Sequence, residues 1–199
     1  MNCFIKLKAN FLSIAYQEEI WDELIDGKVI AMSPRPTVNH HQISLNIANL
    51  FFRYLKGRIC RPFGDGVDVY LTKKDRFIPD GMVVCDPRKI KHTGVYGAPD
   101  LVVEILSPST ARYDRGQKKD AYEAAGVREY WIIEPDVKSI EVYLLQNSKF
   151  LLDNVYSVYP GYLLETMTEE EKAAVITEFR CSLYDDLVIS LEEVFQNTF

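Results

Sequence analysis

The sequence has no clustered cysteines. Its four cysteines, Cys3, Cys60, Cys85 and Cys181, are widely separated and form no CxxC pair. A structural zinc site needs closely spaced Cys or His ligands, so this pattern excludes zinc fingers and ribbons. The simplest interpretation is four free thiols in a reducing cytosol.

Long apolar runs are also missing. No segment approaches the ~18 consecutive apolar residues of a membrane-spanning helix. The first residues, MNCFIKLKANFLSIAY, contain no sustained apolar stretch with a cleavage-like end. We therefore expect a soluble, cytoplasmic protein with no membrane partner.

Internal repeats, low-complexity segments and linkers rich in Pro, Gly or Ser are absent as well. The chain has 199 residues, of which 47% are hydrophobic and 26% charged, an ordinary globular composition. We expect one domain over residues 1–199, with an N-terminal extension of about residues 1–26 and an acidic C-terminal segment of about residues 160–199.

Positive charge is scarce overall, since the net charge is −6. Its distribution is uneven: residues 53–119 hold 14 Lys and Arg against 8 Asp and Glu, a net of +6, and the remainder holds 9 against 21, a net of −12. The basic middle indicates a local anion-binding surface, unless the charges are simply scattered over the surface.

Two long segments have helical features. Residues 38–56 place apolar side chains and His40 on one face, and Gly57 is a plausible stop. Residues 115–125 are polar but helix-friendly, with Asp114 as a possible N-cap. A shorter helix is predicted over residues 16–26, and SLEEVF near the C-terminus opens with a capping-box pattern.

Short strands account for most of the rest. They are predicted over 27–32, 59–62, 67–71, 81–85 and 101–106, followed by a hairpin over 128–135 and 139–145. This order predicts an α+β fold with a mixed central sheet, in which the helix at 115–125 crosses over between neighbouring strands.

The apolar segment LVVEIL carries Glu104 in its middle. Burying an unpaired carboxylate costs several kcal/mol. Strand alternation puts Asp100, Val102 and Glu104 on one face, and Asp80 opens the preceding strand. If Asp80 and Glu104 meet, a divalent cation would relieve their repulsion, and Mg²⁺ prefers such oxygen ligands.

A lysine from the following helix, Lys118 or Lys119, could then hold a phosphate oxygen or orient a water. Simpler interpretations stay open. Glu104 could pair with Lys or Arg instead of a metal, the two lysines could form a solvated helix face, and His40 could be a core histidine.

Several longer motifs occur together and in order. They are LIDGKVIAMSP, HHQIS, VDVYL, IPDGMVVCDPRKI, GAPDLVVEILSPST, YDRGQKKDAYEAAGVREYWIIEP and SIEVYLL. On these motifs the chain resembles the Uma-type family of restriction-endonuclease-like proteins, within the PD-(D/E)XK nuclease superfamily. The resemblance runs from about Tyr16 to the C-terminus.

The resemblance implies a restriction-endonuclease-like core, a central mixed sheet flanked by helices. It implies catalytic roles for Asp80, Glu104 and Lys118, with Asp80 and Glu104 as metal ligands. His40 and Asp100 would support the site or face the substrate. The superfamily pattern expects Lys at position 106, where this chain has Leu106, and in this family the lysine is displaced to Lys118.

The implied function is a Mg²⁺-dependent endodeoxyribonuclease, in which Mn²⁺ could substitute. One alternative is a catalytically inactive nucleic-acid-binding or regulatory module on the same fold. Another is an oligomeric interaction protein that uses a hairpin edge near residues 139–145. We also expect a homodimer, because cutting both strands of a duplex needs two opposed sites and segment 155–164 offers apolar surface.

Overall fold

The computed structural model describes residues 22–31 and 36–199. Its strands are β1 (Asp22–Ile25), β2 (Lys28–Ala31), β3 (Arg61–Gly64), β4 (Val69–Tyr70), β5 (Arg76–Phe77), β6 (Gly81–Val84), β7 (Ile90–Lys91), β8 (Gly94–Tyr96), β9 (Leu101–Ile105), β10 (Glu129–Glu134), β11 (Ser139–Gln146), β12 (Lys149–Ser157), β13 (Glu178–Arg180) and β14 (Val188–Ser190). Its α-helices are α1 (Val38–Leu55), α2 (Ala111–Asp114), α3 (Gln117–Ala125), α4 (Gly161–Leu164), α5 (Glu169–Ala173) and α6 (Leu191–Val194).

The strands form two six-stranded sheets and a small C-terminal hairpin. The first sheet has the order β2-β1-β5-β4-β8-β7, and the second has the order β12-β11-β10-β9-β6-β3. In the second sheet, β9 pairs antiparallel with β6 and parallel with β10, with α2 and α3 connecting the parallel pair. The predicted α+β class, mixed sheet and crossover helix are therefore confirmed.

Helix α1 covers one face of the second sheet. Its apolar stripe, including Ile43, Ile47 and Phe51, packs against Val103 of β9 and Trp131 of β10. The Thr37 side chain caps the first turn by accepting the His40 N–H at 3.2 Å. Just beyond the last turn, Gly57 adopts a φ of +79°, the left-handed conformation that favours glycine at helix ends.

The opposite face of β9 is also covered. Val102 packs with Phe77 from the first sheet, Tyr122 from α3 and Tyr130 from β10. Strand β9 is thus buried on both faces, which explains its nearly continuous apolar sequence. Its predicted alternation is confirmed, because Leu101, Val103 and Ile105 join the cluster under α1 while Val102 does not.

Three local predictions are wrong. Residues 22–25 of the predicted helix 16–26 form strand β1, and the remaining residues up to 21 lie outside the described ranges. Asp114 is not an N-cap: it ends α2 and is buried, and Gly116 is the N-cap of α3. The hairpin edge is β12 rather than residues 139–145, because β12 covers β11 along its whole length.

The cysteine prediction is also wrong, because Cys60 and Cys85 form a disulfide. Cys60 immediately precedes β3 and Cys85 immediately follows β6, so the two cysteines meet because β3 and β6 pair antiparallel with Arg61 opposite Val84. Cys181 is free and buried, and Cys3 lies outside the described residues. The argument for a reducing compartment from four free thiols therefore does not hold.

The C-terminal segment is fastened to the second sheet by a buried carboxylate. Glu129 of β10 accepts hydrogen bonds from the Trp131 indole N–H at 2.7 Å and from the Ser182 backbone N–H at 2.8 Å.

Among the described residues, no helix combines the length and apolar character needed to cross a bilayer.

Candidate active site

The β6–β9 pairing brings Asp80 level with Glu104. Gly81 lies opposite Val103 in this antiparallel pair, so the residue before Gly81 falls next to the residue after Val103. The Asp80 carboxylate crosses to β9, where its Oδ2 accepts the Ile105 backbone N–H at 2.7 Å. This register places Asp80 beside Glu104 at the end of β9, and the charge of Asp80 contributes to raising the pKa of Glu104.

Helix α1 supports Asp80 from the other side. His40 Nε2 lies 3.3 Å from Asp80 Oδ1, and the Ser44 hydroxyl donates to the Asp80 carbonyl at 2.9 Å. Burial lowers the pKa of His40, but the hydrogen bond and the charge of Asp80 outweigh it and raise that pKa above its ordinary value. His40 therefore lies beside Asp80, in direct contact with its carboxylate.

Glu104 is buried, with 3% of its surface exposed. Its Oε1 accepts the Tyr122 hydroxyl at 3.0 Å and lies 2.8 Å from Lys118 Nζ. Burial raises the pKa of Glu104 well above its ordinary value, and the nearby ammonium of Lys118 opposes this shift. These contacts explain how an apolar strand tolerates a carboxylate, and they include the pairing with lysine that the sequence left open.

Lys118 is the centre of a buried ionic cluster. Its Nζ lies 2.8 Å from Glu104, 3.0 Å from Asp114 and 3.1 Å from Glu23, and all four side chains are at most 3% exposed. Burial opposes the charged form of Lys118, but the carboxylates raise its pKa well above the ordinary value. One ammonium thus faces three carboxylates, which leaves excess negative charge when all are ionised.

Two other candidates lie away from this cluster. Asp100, at the opposite end of β9, accepts the Cys85 backbone N–H at 2.6 Å and pairs with Arg128 at 2.9 Å. Lys119 points outward, with its Nζ 3.8 Å from the centroid of the Tyr143 ring. The structure brings Asp80, Glu104, Lys118 and His40 together, and it does not bring Asp100 or Lys119 to them.

Sequence reasoning missed three acids near the cluster. Asp114 stands four residues before Lys118, a spacing that signals side-chain contact across one helical turn. Glu23 shares a face of β1 with buried Ile25, which alternation could have revealed had the strand been predicted. Asp65, whose pKa is raised by burial and by the charge of Asp80, follows β3 and had no sequence signal.

A magnesium ion at this place would be held by Asp80 and Glu104 and would keep most of its water. No group of three or more His, Cys, Asp or Glu within residues 22–31 and 36–199 has the geometry of a complete protein cage. Mg²⁺ usually binds one or two carboxylates, waters and substrate phosphate. Asp80 and Glu104 supply such a pair of hard oxygen donors, and the excess negative charge around Lys118 favours a cation.

Comparisons with known proteins identify the family and the fold of this chain. A family model, Uma2, described as "Putative restriction endonuclease", matches residues 10–166. The uncharacterized protein slr1290 of Synechocystis sp. is 34% identical over 123 residues, covering 61% of this chain and 64% of that protein. This chain thus spans less than two thirds of that relative.

A second uncharacterized Synechocystis protein, sll1609, is 25% identical over 139 residues, covering 68% of this chain and 78% of that protein. The crystal structure of a "putative nuclease belonging to DUF820" from Anabaena variabilis has 22% sequence identity and a TM-score of 0.66. The match covers 89% of this chain and 90% of that one, and it shows a common fold.

Proposed function

Because the chain belongs to the Uma2 family, we propose that it is a divalent-metal-dependent endonuclease that hydrolyses phosphodiester bonds in DNA. The observation that supports the proposal is that Asp80 reaches the backbone of β9 at Ile105, next to Glu104, whose carboxylate contacts Lys118. The three residues come from separate elements.

In the proposed site, Asp80 and Glu104 hold Mg²⁺, or Mn²⁺ in its place, with water and a phosphate oxygen completing the coordination. The bound cation supplies a Lewis acid for the phosphate. The His40 contact orients Asp80, and the Ile105 N–H fixes the second carboxylate oxygen.

Lys118 supplies positive charge to the phosphate in this proposal. Its raised pKa keeps the ammonium protonated, so it can donate hydrogen bonds to a phosphate oxygen as negative charge develops. Leu106, which occupies the position where the superfamily pattern has lysine, is buried in the cluster around Tyr122. Lys118 reaches the Glu104 carboxylate from α3 instead.

DNA is the proposed partner because a basic turn lies at the same end of the first sheet. Val69 of β4 pairs antiparallel with Phe77 of β5 and parallel with Val95 of β8. The turn that precedes β8 therefore lies at the same end of the first sheet as the last residue of β5, from which the chain continues to Asp80. Lys91 at the end of β7 and His92 in the turn are both exposed. Such side chains can contact the phosphate backbone beside a scissile bond.

We further propose one nuclease domain per chain and a homodimer. Strand β12 ends the second sheet, so one side of its backbone is unpaired within the described chain. Leu151, Leu152 and Val155 on this strand are each about half exposed. An apolar edge of this kind suits antiparallel pairing with a second copy.

Nicking of supercoiled plasmid in Mn²⁺ tests the enzymatic proposal. Wild type should nick the plasmid, chelation with EDTA should stop the reaction, and Asp80→Asn and Glu104→Gln should each abolish it. Asp100→Asn is the matched control, since it neutralises an acid on the same face of β9 but outside the cluster. Metal-independent plasmid binding without nicking would instead support the inactive binding module.

A further inference from the structure

The proposed function leaves two buried carboxylates without a role. Glu23 and Asp114 both contact Lys118, and the described residues offer no complete metal cage to which they could belong. Each is at most 3% exposed, so neither is a solvated surface charge. Leaving an ionised carboxylate buried is costly, which makes an unused pair of them hard to explain on structural grounds alone.

Their positions relative to Lys118 differ from that of Glu104. Asp114 ends α2, immediately before the helix that carries Lys118. Glu23 lies on β1, and its Oε1 also accepts the Ile78 backbone N–H at 2.8 Å, two residues before Asp80. Glu23 therefore connects the lysine with the segment that presents the first proposed metal ligand.

We infer that Glu23 and Asp114 are positioning residues that hold the Lys118 ammonium in place while Glu104 serves the cation. This inference rests on the proposed nuclease function. A carboxylate that binds a cation attracts a neighbouring ammonium less, and Glu104 makes the shortest of the three contacts with Lys118. Glu23 and Asp114 then remain as its acceptors and hold it beside Glu104.

The arrangement has a chemical consequence for substitution. Without Glu23 or Asp114, Lys118 has one remaining carboxylate besides Glu104, so it is less well ordered once the cation is bound. A displaced ammonium stabilises the developing phosphate charge poorly, while the contacts that bind DNA elsewhere are unchanged. The expected loss therefore falls on kcat rather than on KM.

The first test measures nicking kinetics at saturating Mn²⁺ for Glu23→Gln and Asp114→Asn. Each should lower kcat at least tenfold and leave the KM for plasmid within about twofold of wild type. Glu129→Gln is the matched control, because it neutralises another buried carboxylate of the same fold, far from Lys118, and should keep kcat. In a Lys118→Gln background, Glu23→Gln should cause no further loss, because it acts through the lysine.

The second test does not depend on activity. Side-chain NMR of ¹³C-labelled lysine should show Lys118 ordered with and without Mg²⁺ in wild type and in Glu129→Gln. In Glu23→Gln and Asp114→Asn, added Mg²⁺ should shift the Lys118 signal toward those of exposed, mobile lysines. This test decides the matter if Lys118→Gln nicks too slowly for kinetics.

The inference is overturned if Glu23→Gln and Asp114→Asn both keep the wild-type kcat. It is also overturned if their losses of kcat persist in full in the Lys118→Gln background. A third contradicting result is a Lys118 side chain that stays ordered in both variants when Mg²⁺ is added. If wild type nicks plasmid and the Glu23→Gln and Asp114→Asn variants nick it with the same kcat, this inference is wrong but the proposed function stands. A wild type that neither binds Mn²⁺ nor nicks DNA defeats the proposed function itself.

Discussion

At the scale of single residues, Lys118 and its neighbour Lys119 have opposite environments. Lys118 is 2% exposed among three carboxylates, whereas Lys119 lies over the Tyr143 ring near the surface. Adjacent residues on a helix point about 100° apart, so only one of two consecutive lysines can face the sheet. The pair therefore provides an internal comparison between a buried and a peripheral cation.

Replacing these lysines should have unequal effects on stability. Lys118→Ala leaves three buried carboxylates without their ammonium and should lower the free energy of unfolding by about 3–5 kcal/mol. Lys119→Ala removes a cation–π contact and should cost about 1 kcal/mol or less. Urea denaturation of the two variants measures this difference, and equal losses would contradict the central role of Lys118 in the cluster.

Metal binding should be visible as stabilisation of the folded protein. Mg²⁺ or Mn²⁺ at 100 times its Kd should stabilise wild type by about 2.7 kcal/mol and raise the Tm. Asp80→Asn and Glu104→Gln each remove one ligand and one repelling charge. They should preserve or raise the metal-free Tm but abolish the metal-dependent rise, as measured by calorimetry.

Two variants check that interpretation. Asp100→Asn should keep the metal-dependent rise, since Asp100 is engaged by Cys85 and Arg128 away from the cluster. Lys118→Ala should also keep it, because the lysine is not a ligand. A metal response that survives in Glu104→Gln would place the cation elsewhere.

Glu129 should make stability depend on pH. Burial raises its pKa above the ordinary value of 4.5, although bonds from Ser182 and Trp131 oppose the shift. A raised folded-state pKa means that the folded protein binds the proton more tightly than the unfolded chain. Stability from this group is therefore complete below the unfolded pKa and is lost as pH rises through the folded pKa.

The comparison of wild type with Glu129→Gln isolates this contribution. Denaturation at several pH values between 4 and 8 should show wild type gaining stability relative to the variant as pH falls. The shared titration of all other groups cancels in the difference. A difference that is constant with pH would show that Glu129 has the same pKa in both states.

At the scale of elements, β9 organises the molecule because it is covered on both faces. Helix α1 packs on the face of Val103, and α3 and the first sheet pack on the face of Val102 and Glu104. The site forms where this strand ends, since residues from both layers can reach its last side chains. Asp80 comes from the neighbouring strand and Lys118 from the crossover helix.

The disulfide between Cys60 and Cys85 fastens the start of β3 to the end of β6, where it continues the antiparallel pairing of Arg61 with Val84. It closes a loop with a sequence separation of 25 residues, for which the loss of unfolded-chain entropy corresponds to about 3 kcal/mol. Reduction, or Cys60→Ser with Cys85→Ser, should lower the free energy of unfolding by about that amount. Thermal unfolding with and without dithiothreitol tests this, with the double variant showing no response to the reductant.

At the scale of the whole molecule, the outer strand β12 leaves the second sheet open at one end. If it pairs two copies, light scattering should give the mass of a dimer at micromolar concentration, and Leu152→Lys with Val155→Lys should give the monomer mass. Phe52→Lys is the matched control, because Phe52 is also exposed and apolar but lies on α1. A monomer mass for wild type would contradict the proposed homodimer.

Several features of this fold were predictable because their contacts are close in sequence. Helix α1, the β10–β11 hairpin and the alternation along β9 follow from spacings of two to four residues, which periodic patterns encode directly. Strand β1 was missed although its pairing with β2 is local: the two strands form a hairpin that turns at Asp26 and Gly27, both at positive φ. Its pairing with β5, by contrast, crosses about fifty residues. A disulfide between distant cysteines likewise has no local pattern.

For the site, the sequence by itself determined the chemistry: an acid in an apolar strand, a second acid at the start of its neighbour, and a lysine on the next helix. Only the tertiary structure decided which groups share the space around that lysine. Glu23 and Glu104 are 81 residues apart, yet both lie within 3.1 Å of Lys118. Local sequence specifies which side chains a strand or helix can bury, whereas packing and strand register determine which buried charges face one another.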